Sequence, residues 1–142
     1  MKITIVAVGK IATKDPENEI LKEYLKRIPW PVEIKQIDAK LSSKEAAEKM
    51  LAAIPKGYYP ILLDKGGKNY SSEEFAHFLE SSSGNIAFLI GGAEGFHKDI
   101  YDHIKNSISL GKMTHAHKLA RIVLVEQIYR AWTITTHHPY NK

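Results

Sequence analysis

Apolar positions along the chain follow two habits. In KITIVAV (2–8), YPILLD (59–64) and IAFLI (86–90) they run together, as in strands covered on both faces, and in VEIKQID (32–38) they alternate with polar ones, as in a strand with one wet face. Between these runs the spacing stretches to three and four residues. ENEILKEYLKRI (17–28) sets Ile20, Leu21, Tyr24, Leu25 and Ile28 on one helical stripe, which Pro29 and Pro31 stop. SSKEAAEKMLAAI (42–54) predicts a second helix, ended by Pro55 and Gly57. Ser71 and Glu74 form a capping box that opens a third helix running to Ser81. HKDIYDHIK (97–105) predicts a fourth helix, SISL (107–110) a short fifth strand, and HKLARIVLVEQIYRAW (117–132) a long last helix. Strands alternating with helices predict an α/β sandwich with a mainly parallel sheet, one domain over residues 1–142, whose ligand site lies beyond the carboxyl ends of the strands.

Composition narrows the classes. The longest wholly apolar runs are near five residues, far too short to cross a bilayer, so no membrane partner is expected. KITIVAVGK lacks a small-residue cleavage site after its apolar run and reads as a first strand rather than a secretory signal. There is no cysteine, which excludes disulfides, thiolate metal sites and cysteine nucleophiles and fits a cytoplasmic location. The 20 basic against 16 acidic residues permit an acidic partner such as RNA without requiring one.

Candidate chemistry gathers after the strands. Gly91, Gly92 and Gly95 follow IAFLI, and Gly66 and Gly67 follow YPILLD in a second glycine corner. A third loop, Leu110 to His115, follows SISL, so three loops are placed to converge on one ligand. The bland reading is that the glycines make tight turns and nothing more. The spacing is GGxxG, the lysine of a phosphate-binding loop is absent, and Glu94 would repel a phosphate. These features weigh against an α/β nucleotide-binding protein and favour an uncharged or cationic ligand. His115, His117, His137 and His138 have no carboxylate or cysteine at ligand spacing, so no metal is expected.

The last helix is apolar on nearly every side, which predicts burial on more than one face and a homodimer. Glu126 and Arg130 are spaced for an intrahelical ion pair, whereas Arg121 on the same helix needs a carboxylate, a carbonyl or a phosphate. The tail TTHHPYNK is suited to closing over a site or touching RNA.

FLIGGAEGFHKDI, SLGKMTHAHKLARIVLVEQIYRAW and the closing HPY, with MKITIVAVGK and LLDKGGKNYSSEEFA, resemble the ribosomal RNA large subunit methyltransferase H family over most of the chain. That family is a minimal branch of the SPOUT superfamily of S-adenosylmethionine-dependent enzymes. The resemblance implies an α/β fold with a carboxyl-terminal trefoil knot, a homodimer, and methylation of N3 of a pseudouridine in a stem-loop of large-subunit ribosomal RNA on assembled ribosomes. By motif it places the cofactor S-adenosyl-L-methionine at Leu63, Gly91, Leu110, Gly111, Lys112, Met113, Thr114 and His115. Candidates for chemistry are His117, Arg121, Glu126 and Tyr140, and for phosphate contact Arg121, Arg130 and Lys142. Family tails usually place histidine after the tyrosine, where this chain has Asn141, and the stretch DAKLSSKEAAEK is shorter than usual. The changed tail keeps a second reading open, a ribosome-binding module of the same fold without catalysis.

Overall fold

The computed structural model describes all residues from Met1 to Lys142. Its strands are β1 (Ile3–Val8), β2 (Val32–Ile37), β3 (Tyr59–Asn69), β4 (Ile86–Ile90) and β5 (Ser107–Ser109). Its helices are α1 (Pro16–Arg27), α2 (Ser43–Ala53), α3 (Ser72–Ser81), α4 (Ile100–His103) and α5 (His117–Thr135). The strands form one sheet in the order β2-β1-β4-β3-β5, and every neighbouring pair is parallel.

The central strands show why continuous apolar runs were needed. Ile3, Ile5 and Ala7 of β1 and Ile86, Phe88 and Ile90 of β4 join the core under α1, α3 and α5. Val6, Val8, Ala87 and Leu89 face the opposite core under α2 and α4. Side chains of a strand alternate faces, so helices on both sides demand apolar residues at every position. Phe88 is fully buried between these layers, a contribution of about 2–3 kcal/mol relative to leaving it in water. The chain leaving β1 crosses to α1 on one face, and the chain leaving β4 crosses to α4 on the other. Adjacent β1 and β4 therefore mark the point where the winding reverses, the usual place for a ligand crevice.

Two elements depart from expectation. The second glycine corner does not end its strand. Leu62 and Leu63 pair with Ser107 and Ile108, Asp64 to Gly67 bulge outward, and Lys68 and Asn69 rejoin the ladder at Ile108 and Ser109. A Cβ on Gly67 would lie 2.7 Å from backbone atoms of Ser107 and Ile108, so glycine here permits close strand approach. The fourth helix is shorter than expected, because i to i+3 bonds from Ile100, Tyr101 and Asp102 to His97, Lys98 and Asp99 make a tight entry before α4. The capping box forms, with Ser71 Oγ accepting from the Glu74 amide at 3.0 Å and Glu74 Oε1 accepting from the Ser71 amide at 2.8 Å. Helix α5 packs between α1 and α3 and buries Leu124, Val125, Ile128, Tyr129 and Ala131.

Candidate active site

The bulge within β3 and the segments that follow β4 and β5 lie side by side and enclose a cavity of about 350 Å³. Leu63, Gly91, Leu110, Gly111, Met113, Thr114 and His115 all border it. Lys112 does not. It lies on the far side of its loop, against a larger cavity of about 480 Å³ between α3 and α5.

Local chemistry sets each wall. After β4 the chain folds into a tight turn in which the Gly95 amide donates to the Gly92 carbonyl at 3.0 Å, with Gly95 at φ +76°. This left-handed conformation would strain a side chain through its backbone angles alone. A Cβ on Gly91 would meet the Gly95 carbonyl at 3.0 Å, so a larger residue there would push the turn away. After β5, Ser109 Oγ accepts from the Gly111 amide at 3.0 Å and donates to its carbonyl at 2.9 Å, fixing the loop's first bend. Lys65 Nζ donates to Thr114 Oγ1 at 2.7 Å, joining the β3 bulge to the loop after β5.

Asp64, Glu94 and Lys65 border the cavity, with the apolar side chains of Leu63, Ile90, Leu110 and Phe96 and the polar ones of Thr114, His115 and His117. Asp64 accepts the Tyr101 hydroxyl at 3.2 Å, and burial together with the Asp64 charge holds the Tyr101 phenol above its ordinary pKa. Glu94 sits exposed on the turn. Two carboxylates against the one Lys65 ammonium leave the lining net negative, which disfavours phosphate and suits a ligand with positive charge. Asp64, Lys65, Glu94 and Phe96 join the site although motif spacing did not assign them. A bulge between two paired segments of one strand leaves no periodic signal.

The four candidates for chemistry do not meet at one point in the chain. His117, the first residue of α5, borders the cavity, and a Cβ built on Gly9 would lie 2.9 Å from its Cε1. Its Nδ1 is buried without a partner. Arg121, expected to reach RNA phosphate, is only 1% exposed. Its Nη2 donates to the Gly9 carbonyl at 3.0 Å and its Nη1 to Gln36 Oε1 at 2.8 Å. The apolar surroundings of α5 left no surface outlet, and a carbonyl at the end of β1 supplied the acceptor.

Glu126 lies nine residues beyond His117, roughly 13 Å along the helix at 1.5 Å per residue. Its Oε2 accepts from Arg130 at 2.9 Å and from the Tyr140 hydroxyl at 2.8 Å, and its Oε1 accepts from Gln127 at 2.8 Å. The predicted Glu126–Arg130 pair is present, and the tail is strapped onto it. Arg130 also donates to Asn141 Oδ1 at 3.0 Å and stacks over Tyr140, while Lys142 is exposed.

Comparison with known proteins adds to this geometry. Residues 1–141 match the family model described as "Predicted SPOUT methyltransferase". The chain is similar to the ribosomal RNA large subunit methyltransferase H of Carboxydothermus hydrogenoformans, 38% identical over 100% of both chains. It is 39% identical to the protein of the same name in Polynucleobacter asymbioticus, over 100% of this chain and 99% of that one. A solved structure from Legionella pneumophila, described as a methyltransferase in complex with SAM, is 12% identical. That match covers 92% of this chain and 66% of the other at a TM-score of 0.49.

Proposed function

The chain belongs to the SPOUT methyltransferase family, and from that premise we propose that it methylates large-subunit ribosomal RNA, at N3 of a pseudouridine in a stem-loop of the assembled ribosome. In this reading its methyl donor is S-adenosylmethionine. The observation that carries the reading is the convergence of the β3 bulge and the segments after β4 and β5 on an acid-bearing cavity with no phosphate cradle.

The residues present fit this cofactor. Apolar Leu63, Leu110 and Met113 offer faces for a purine, and Asp64 and Glu94 offer charge to an ammonium or sulfonium. When bound, S-adenosylmethionine would supply an electrophilic methyl to the base nitrogen, with its sulfur as the leaving group. The chain's own share is to orient the base and take its proton, and orientation accounts for much of such a rate. Glu126 has both oxygens engaged and Arg121 is buried beneath Gly9, so we assign the N3 proton to His117, the candidate that borders the cavity. The exposed Lys142 is left for phosphate contact, and we read the working form as a homodimer with a knotted carboxyl-terminal part.

S-adenosylhomocysteine should bind at micromolar concentration in a calorimeter while ATP and NAD give no heat. Labelled cofactor should transfer methyl to ribosomes that lack the modification. Binding to ribosomes without transfer would favour the non-catalytic module instead. His117→Gln should lower kcat by about 10²-fold or more and leave the S-adenosylhomocysteine affinity nearly unchanged. An unchanged kcat would remove His117 from the proton's path.

A further inference from the structure

The residues of the β3 bulge, Asp64 to Gly67, have no ladder partner, since Leu63 is the last to pair before them and Lys68 the first after. Side chains hold the bulge instead, and two successive residues are tied to different elements. Lys65 Nζ donates to Thr114 Oγ1 at 2.7 Å, toward the loop after β5. Asp64 Oδ2 accepts from the Tyr101 hydroxyl at 3.2 Å, toward α4. The adjacent ammonium is thus drawn away from Asp64, which takes part in none of the chain's ion pairs.

Tyr101 reaches Asp64 from a fixed base. Ile100 before it is fully buried and Ile104 nearly so, which seats α4 in the core that it shares with α2. Lys105 Nζ donates to the Tyr101 carbonyl at 2.9 Å. The tyrosine ring lies edge-on to Phe96 of the β4 turn, with centroids 6.2 Å apart and planes at 87°. A side chain that is 39% exposed therefore touches two walls of the cofactor cavity, the bulge with its hydroxyl and the turn with its ring. Glu94, the other carboxylate of the lining, is exposed on that turn, where water screens its charge.

We propose that Tyr101 is a positioning residue for the cofactor: its hydroxyl holds Asp64 at the cavity as the carboxylate that takes the cofactor's positive centre, while its ring braces the bulge against the β4 turn. The proposal rests on the methyltransferase reading and adds to it which carboxylate binds and what aims it. A carboxylate already held in place loses less freedom on meeting a cation than one that swings in water. Asp64 is half-buried, oriented and without a cationic partner, and Glu94 is none of the first two.

Calorimetry on the full chain with three ligands tests this. S-adenosylmethionine carries an ammonium and a sulfonium, S-adenosylhomocysteine the ammonium alone, and methylthioadenosine neither. Asp64→Asn should weaken S-adenosylmethionine about tenfold or more and leave methylthioadenosine within about twofold. S-adenosylhomocysteine then identifies the centre that is bound: a matching loss assigns Asp64 to the ammonium, and an unchanged affinity assigns it to the sulfonium. Glu94→Gln should weaken S-adenosylmethionine by no more than about twofold. Tyr101→Phe keeps the ring against Phe96 and should weaken S-adenosylmethionine about threefold. In a chain that already carries Asp64→Asn it should bring no further loss. Equal losses in Asp64→Asn and Glu94→Gln would overturn the proposal. So would a loss that methylthioadenosine shares, because the cavity's shape rather than its charge would then have changed. Additive losses from Tyr101→Phe and Asp64→Asn would show that Tyr101 does not act through Asp64. If the unaltered protein binds none of the three ligands, the cofactor reading itself falls, and that failure is visible before any substitution is made.

Discussion

Arg121 contradicts the usual disposition of its residue type. At 1% exposure its guanidinium has two hydrogen-bond partners, Gly9 and Gln36, and an Nε with none, and burial lowers its pKa. A buried cation without a carboxylate is costly, so its retention calls for the acceptor carbonyl of Gly9 and a shape that apolar residues do not reproduce. Arg121→Met keeps the length but leaves the Gly9 carbonyl without its donor. It should cost about 1–3 kcal/mol, read from urea midpoints. If the midpoint does not move, the relief of burying a charge balances the lost bonds, and the guanidinium is not needed for the fold. The sequence placed an arginine on an apolar helix and required an acceptor for it. Choosing among carboxylate, carbonyl and phosphate was beyond it, because the Gly9 carbonyl is 112 residues away along the chain.

Elements were legible where one surface decided them. β1 and β4 announced themselves as continuous apolar runs because both faces are covered, and the third helix by the reciprocal bonds of its cap. β3 beyond Asp64 was not legible. GGKN has turn chemistry, yet pairing with β5 on the far side of a bulge overrides it. That reading makes Gly67→Ala a sharp test. Its Cβ would meet the backbone of β5 at 2.7 Å, and backbone cannot swing aside as a side chain does. A loss of about 2 kcal/mol or more is expected in denaturant unfolding, and an unchanged midpoint would mean that the two strands do not approach so closely. The tail strap is the other element-scale device. Burial, and then donation to Glu126, raise the Tyr140 phenol above its ordinary 10.0. The folded state thus holds this proton more tightly than the unfolded one. The stability it confers is complete below the unfolded value and is lost as pH climbs above it toward the folded value. Melting curves of the protein and of Tyr140→Phe should therefore differ most near neutrality and converge above about pH 10. A constant gap across that range would mean that the hydroxyl does not anchor the tail.

At the scale of the whole molecule, the site is assembled from segments that the chain order keeps far apart, and α5 holds them together. Its first residue borders the cofactor cavity, Arg121 holds the end of β1, and its last turns anchor the tail. The helix is apolar on nearly every side, but one chain covers only part of it. Ile122 and Val123 are half-buried, Leu119 is 51% exposed, and Met113 on the preceding loop is 80% exposed. Apolar side chains left open beside a site are ordinarily covered when two copies associate, and the two-fold arrangement is the commonest. The protein should sediment at micromolar concentration as twice the 16.0 kDa of one chain. Leu119→Glu introduces a charge at a position whose exposure spares the monomer's fold, and it should shift the distribution toward 16.0 kDa with its melting temperature measured in parallel. A single 16.0 kDa species in the unaltered protein would remove the dimer. The site would then have to work within one chain, without Glu126, nine residues beyond His117 on α5, or the tail's Tyr140 bonded to it.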